Sequence, residues 1–362
     1  MSESVSVGVV GCGYWGPNLI RNFSRLPNAK VQAVCDINEE RLGHVAELYP
    51  QAQPYRDFHE MLLDTSLNAV VVATPLPTHY EFAKASLLAG KHTLVEKPLA
   101  SSTAECDELV ALAEERNLIL MVGHTYLYSE PIHRIKEIVD SGDIGDILYI
   151  NSQRLNLGLF QTDINVAWDL APHDISIIMH ILGEAPETVN CQGNAHITPD
   201  VEDVTNISLG FGGKRFASVQ SSWLEPRKVR QMTIVGTRRM VIYDDLEPRE
   251  KIRIYDVRVE RPPHYDTFGQ FHYSYHYGDC YIPHLQQGEP LNVLCRHFLE
   301  CVEEGKTPLT CGREGAKLVR ILEACSESLE VGGAPVSVSL ENAMEPSSSE
   351  KKKASRLAGE VI

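Results

Sequence analysis

The sequence has no segment able to cross a bilayer, since no apolar run approaches the ~20 residues a membrane helix requires. It opens Met1-Ser-Glu-Ser-Val-Ser, without the basic stretch and apolar core of a secretory leader, so a cytoplasmic location is expected. Its nine cysteines include no C-x-x-C pair. An odd, scattered set reads as reduced thiols and excludes a disulfide frame or a zinc site. Cations are in deficit: 33 Lys and Arg face 49 Asp and Glu, for a formal charge of −16. That argues against nucleic acid or an anionic membrane as partner, while a local basic pocket can still receive an anionic substrate. Internal repeats are also lacking.

What is present supports two domains, because 362 residues at 43% hydrophobic content supply ample core. The first third alternates short apolar strands (Val5–Val10, Val31–Cys35, Ala69–Ala73, His92–Val95, Ile119–Val122) with helical patterns (Pro17–Arg25, Asn38–Leu48, Asp57–Leu63, Thr78–Leu88, Ser102–Arg116). This predicts an α/β class: a doubly wound parallel sheet over residues 1–123 with its ligand crevice at the carboxyl ends of the strands. Residues 124–343 change character. A helix over Pro131–Ser141 precedes alternating segments at Ile147–Leu155, Thr188–His196, Asp203–Phe211, Arg215–Ser222, Gln231–Val235 and Met240–Asp244. They predict one large, mainly antiparallel open sheet, covered by helices at Pro172–Leu182, Leu291–Glu304 and Arg313–Leu329. Such a sheet has a second face to cover, so a homodimer or homotetramer is expected. Residues 344–362 read as a disordered tail.

The most informative stretch is Val5–Gly16, V-S-V-G-V-V-G-C-G-Y-W-G. A strand runs into Gly11, Gly13 and Gly16 with G-x-G-x-x-G spacing, and an amphipathic helix follows. Gly11 permits the turn, Gly13 lets a pyrophosphate approach the backbone, and Gly16 lets the helix pack close. Tyr14 and Trp15 sit inside this loop. Asp36, twenty residues past Gly16, ends the second strand, where a carboxylate accepts from both ribose hydroxyls and repels a 2′-phosphate. The pattern predicts NAD in preference to NADP, with Arg41 as the nearby residue that would favour the phosphate.

Three further stretches are candidates for chemistry. Thr74-Pro75-Leu-Pro77-Thr-His79 follows the third of these strands and should line the crevice; alternatively Thr78 simply caps the next helix. Glu96-Lys97-Pro98 follows the fourth; it is either a solvated pair or a lysine poised in a dry crevice for proton transfer. Trp168-Asp169-Leu-Ala-Pro172-His173-Asp174 opens an apolar run. Asp169 and His173 are four apart and can share a helix face, and Pro172 places them at the helix mouth. A carboxylate beside the imidazole would fix its tautomer and favour its protonated form; the other reading is a helix cap and a packed histidine. The run His264–His284, with Tyr273, Tyr275 and Tyr277 on one face, offers rings for a sugar or simply a half-buried sheet face. Arg134, Arg154 and Arg227 are candidates for a substrate anion. No metal-ligand spacing is present.

In this order, the glycine loop, Thr74-Pro75…His79, Glu96-Lys97-Pro98 and Asp169-x-x-x-His173 resemble the glucose–fructose oxidoreductase, inositol dehydrogenase and MocA family over about Ser4 to Ser339. The resemblance implies a Rossmann domain followed by an α/β domain. It also implies a dehydrogenase acting on the CH–OH of a sugar or polyol, with Lys97, Asp169 and His173 around the reacting carbon. Gly-Tyr-Trp-Gly-Pro-Asn and Trp-Asp-Leu-Ala-Pro-His-Asp are similar to members acting on nucleotide-linked sugars, including 3-dehydrogenases of UDP-N-acetylhexosamines and their uronic acids. Gly123-His124-Thr125-Tyr126 departs from the family's more usual aromatic-Asn-Arg-Arg run, and it places His124 and Tyr126, with Arg154 and Trp168, among the substrate-contacting candidates. The family also contains reductases and NAD-dependent glycosidases; a non-catalytic nucleotide sensor is the remaining alternative.

Overall fold

The computed structural model describes residues 4–260 and 274–338. The expected tail, together with His264, Tyr265, His272 and Tyr273, lies outside them. The amino-terminal half alternates as the apolar pattern predicts: β1 Val5–Val10, α1 Trp15–Ser24, β2 Ala29–Cys35, α2 Glu39–Leu48, β3 Gln53–Tyr55, α3 Phe58–Leu62, β4 Ala69–Val72, α4 His79–Leu88, β5 His92–Val95, α5 Thr103–Glu115 and β6 Leu120–Val122. The strands form a parallel sheet in the order β3-β2-β1-β4-β5-β6. β1 and β4 are buried on both faces, which is why they read as unbroken apolar runs. The order reverses at β1, so the switch-point crevice opens between β1 and β4.

The rest continues with α6 Glu130–Asp140, β7 Ile147–Leu157, α7 Val166–Leu182, β8 Thr188–Asn194, β9 Val204–Gly210, β10 Phe216–Ser222, β11 Leu224–Gly236, β12 Met240–Asp244, β13 Ile252–Glu260, β14 Ser274–Tyr281, α8 Pro290–Glu304, α9 Gly312–Glu330 and β15 Val336–Ser337. Its sheet runs β14-β13-β12-β11-β7-β10-β9-β8-β15. Only the central β7–β10 pair is parallel. α7 packs on β7, β9 and β10, while α9 lies along β8 and α7.

Two expectations fail here. α8 does not cover the large sheet. Its apolar side meets α1, with Phe298 edge-on to Phe23 at 6.2 Å, and Glu289 accepts from Arg21 and Asn22. The chain thus returns to the first sheet, and the start of α9 bridges to β6 through Cys311 and Met121. Nor does α7 begin at Pro172. Asn165 caps it by accepting from the Trp168 N–H at 3.2 Å, so Pro172 lies inside the helix.

Candidate active site

A cleft of about 680 Å³ runs across the carboxyl ends of β1, β2, β4 and β5. Its floor is the glycine loop. Gly11 has φ +95°, and a Cβ there would stand 2.5 Å from the Ala73 carbonyl oxygen. At Gly16 a Cβ would collide with the Gly11 carbonyl oxygen. Gly13 differs: a Cβ there would meet only an Arg41 guanidinium nitrogen at 3.9 Å. The protein itself does not require glycine at 13, so the open space above it fits a ligand phosphate. No side chain caps the first turn of α1, and its N–H groups are left for an anion. Tyr14 and Trp15 border the cleft as an exposed, edge-on pair with centroids 5.2 Å apart.

The Asp36 carboxylate is held from both sides. One oxygen accepts from the Cys12 N–H at 2.6 Å and the other from the Asn38 N–H at 2.8 Å. Thr74 and Pro75 line the opposite wall. His79 also borders the cleft, but its ring is buried and both nitrogens face carbonyl oxygens, Pro98 at 2.7 Å and Thr74 at 2.8 Å. Burial lowers its pKa against the pull of those carbonyls. His79 therefore braces two cleft-lining turns. Glu96 is buried at the cleft base, and desolvation pushes its carboxyl up to about 7.

Lys97 leaves the first domain and meets α7. Its Nζ donates to the Asp169 carbonyl oxygen at 2.7 Å and lies 3.5 Å from Asp169 Oδ1. Pro172 lacks the N–H that would bond the Trp168 carbonyl, and it is this turn of α7 that receives the lysine. The other Asp169 oxygen accepts from Trp223 Nε1 at 3.1 Å. The carboxylate is thus committed to Lys97 and Trp223; no hydrogen bond joins it to His173, contrary to the expected couple.

His173 follows one turn later. Its Nδ1 is buried without a hydrogen-bond partner among the described residues, and the Tyr126 ring lies edge-on at 5.0 Å. Burial first, then the charges of Lys97 and Arg154, hold its pKa well below 6.5. The ring is therefore neutral at physiological pH, the reverse of the expected protonated form. His124 behaves similarly: buried, both nitrogens unpartnered among the described residues, and depressed to about 4 by desolvation and Lys97.

Five other candidates are placed differently from expectation. Arg154 is buried in an ion pair with Asp174, Nε to Oδ2 2.6 Å, and its guanidinium lies 4.7 Å from the Tyr126 ring centroid. Its guanidinium is committed to Asp174 and the Tyr126 hydroxyl, not free for an anion. Trp168 donates its indole N–H to Ser326 at 2.9 Å and packs against both cores. It is a joint between domains. Arg134 pairs with Glu137 on the surface. Tyr275 and Tyr277 are exposed on β14, an edge strand.

Sequence reasoning missed Trp223 and the cluster around the Tyr126 hydroxyl, which receives Arg230 at 2.9 Å and Arg154 at 3.2 Å and donates to Asp245 at 3.4 Å. Trp223 lies between β10 and β11, Arg154 on β7, Arg230 on β11 and Asp245 in the turn after β12, and only the sheet register brings them together. Asp174 was visible as the residue after His173. No group of three or more metal-ligating side chains occurs among the described residues.

Known proteins resemble both domains of the chain. The family model described as oxidoreductase family, NAD-binding Rossmann fold, matches residues 5–124, and the GFO/IDH/MocA C-terminal domain matches 132–242. The chain is 30% identical over 241 residues to the UDP-N-acetylglucosamine 3-dehydrogenase of Acidithiobacillus ferrooxidans, covering 66% of this chain and 74% of that one. It is 24% identical over 335 residues to the myo-inositol 2-dehydrogenase of Thermotoga maritima, covering 90% and 96%. A levoglucosan dehydrogenase solved with NADH and levoglucosan superposes with TM-score 0.79 at 20% identity, covering 93% of this chain and all of that one; this likeness concerns the fold.

Proposed function

The chain belongs to the GFO/IDH/MocA oxidoreductase family, and from that premise we propose that it oxidises a secondary hydroxyl of a nucleotide-linked sugar, at C3 of a UDP-N-acetylhexosamine or its uronic acid, with NAD as cofactor. One observation carries the chemistry: an ammonium from the first domain ion-paired to α7, one turn from a half-buried imidazole whose pKa is held well below 6.5. Bound NAD supplies the hydride acceptor. The residues fitted to hold it are the glycine loop, the start of α1, Asp36 and the Thr74–Pro75 turn. Asp36 favours NAD, because its fixed carboxylate suits ribose hydroxyls and repels a 2′-phosphate.

Neutral His173 takes the hydroxyl proton, which an imidazolium could not do. Lys97 donates a hydrogen bond to the oxygen as its negative charge develops, and Asp169 with Trp223 fixes the lysine's position. The identity of the sugar rests on the 30% identical relative and on the loop sequences around Trp15 and Trp168. Residues 1–123 then form the cofactor domain and 124–343 the substrate and assembly domain. We place self-association, as a homodimer or homotetramer, on the open face of the large sheet.

The test is direct. Incubation with NAD and UDP-N-acetylglucosamine, with myo-inositol in parallel, should release NADH stoichiometrically with the nucleotide sugar. NADH formation with inositol alone would overturn the substrate assignment, and none with any sugar or polyol would overturn net oxidation.

A further inference from the structure

Behind α7, away from the cofactor cleft, lies a second cavity of about 470 Å³. Its walls include His124, Ser176, His180, Lys136, Thr310 and Glu314. It meets the surface where Gly183 and Thr307 are exposed. His124 is the most buried of its titratable lining groups. It caps the Thr125–Tyr128 turn, which packs directly against α7, and the Tyr126 ring of that turn lies on His173. His124 shares the cavity wall with Ser176, which lies one turn past His173 on α7. One imidazole thus stands between the reacting end of the cleft and the rear cavity.

The bonding state of these rings is unusual. Three ring nitrogens, His173 Nδ1 and both of His124, are buried without a partner among the described residues. An unpaired buried polar atom is destabilising, so three in neighbouring rings require a reason. A purely structural histidine resembles His79, with both nitrogens engaged. A ring that must accept a proton on one nitrogen and release it from the other needs both free. Along α7, Ser176 and His180 follow His173 at intervals of three and four and carry the same helix face along the cavity wall.

We propose that His124 relays the substrate proton from His173 into the rear cavity, and so to solvent, while substrate and cofactor fill the front cleft. This rests on His173 being the base. The balance is simple. The carbinol C–H bond breaks and its hydride passes to the nicotinamide. The O–H bond breaks and its proton passes to His173. His124 accepts that proton on one nitrogen and releases another from the opposite nitrogen to water in the cavity, and the carbonyl forms with no further reactant. With its pKa near 4, His124 holds the proton only in passing. His124 is a relay residue, since it touches neither substrate nor cofactor.

The variants are His124→Phe and His124→Gln in the full chain loaded with NAD. Two measurements are made on each: exchange of the His173 ring N–H with water by NMR on protein carrying 15N-labelled histidine, which needs no substrate, and NADH formation from UDP-N-acetylglucosamine with and without added free imidazole. We expect His173 exchange to slow severalfold in both variants. NADH formation should fall at least about tenfold, within the range general-base transfer supplies, and free imidazole should restore part of it. His173 exchange unchanged in both variants, or a loss of turnover that imidazole leaves untouched, overturns the relay. If the unmodified protein forms no NADH from this sugar, the substrate assignment fails alone, and the exchange measurement still decides the relay. Should one variant fail to fold, the other decides the outcome.

Discussion

Lys97 is the residue on which the two domains converge. Its ammonium is largely shielded from solvent and is held by a carbonyl and a carboxylate of α7. Lys97→Met keeps the length and the apolar stem and removes the charge. Turnover should fall by roughly 10²–10⁴-fold, the usual range for losing a group that acts on a proton or oxyanion in the transition state. NAD affinity, read by fluorescence titration, should change less than about threefold, because the glycine loop and Asp36 are untouched. Undiminished turnover in this variant would remove Lys97 from the mechanism. The sequence reading grouped Lys97, Asp169 and His173 through the family resemblance, and the structure brings Lys97 and Asp169 into contact. It misjudged their bonding, because spacing on a helix cannot show that Lys97 and Trp223 outcompete His173 for one carboxylate.

The buried and half-buried histidines also set how stability depends on pH. Burial lowers the pKa of His79, His92, His124, His173, His180 and His297. Below 6.5 the unfolded chain binds protons at these sites that the native state refuses, so their contribution is full above that pH and drains away as pH falls. For His124 the window runs from 6.5 down to about 4. Glu96, raised to about 7, acts oppositely: its contribution is present below 4.5 and lost as pH rises through 7. Six groups outweigh one. The urea midpoint should hold steady from pH 8 to 7 and then fall steadily toward pH 5. A midpoint that rises toward pH 5 would contradict the burial of these rings.

At the scale of elements, periodicity carried most of the information. β1, β2, β4 and β5 read as apolar runs because parallel strands are buried on both faces. α7 was misplaced because Pro172 was taken for the first turn, while the real signal was Asn165. β13 does not read as a strand because Arg253, Asp256, Arg258 and Glu260 interrupt its alternation; in the structure Arg258 pairs with Asp256 and Glu260 along the same strand, Arg253 reaches back to Glu250, and His276 of β14 faces Asp256. The cap of α7 is open to test. Asn165→Ala should cost about 1 kcal/mol in urea unfolding. Because the turn it anchors also carries Asp169, it should weaken turnover more than NAD binding. Equal loss of both would mean that the cap stabilises the whole chain without aiming the carboxylate.

At the scale of the whole molecule, the open face of the nine-stranded sheet remains to be accounted for. Sheet register lays out rows across it: Thr233, Asn151, Ser218 and Ser208 in one, Gln231, Gln153, Gln220 and Asn206 in the next. Gln153 donates to Gln220 at 3.1 Å. Tyr149 and Phe216 stack beside these rows at 5.5 Å and remain well exposed. A sheet face meant for water is normally studded with charge, which also blocks unwanted pairing. The centre of this face holds amides, hydroxyls and two aromatic rings and no charged side chain. Such a surface is suited to a copy of itself, since amides can pair across a two-fold axis and the rings lose exposed area. Light scattering should return a mass at least twice the 40.4 kDa of one chain. Phe216→Glu combined with Gln220→Glu places like charges opposite each other across that axis and should return the single-chain mass, with NAD binding retained because the cofactor cleft lies on the other sheet. A single-chain mass for the unmodified protein, or a double-variant mass equal to the unmodified one, would move the interface elsewhere.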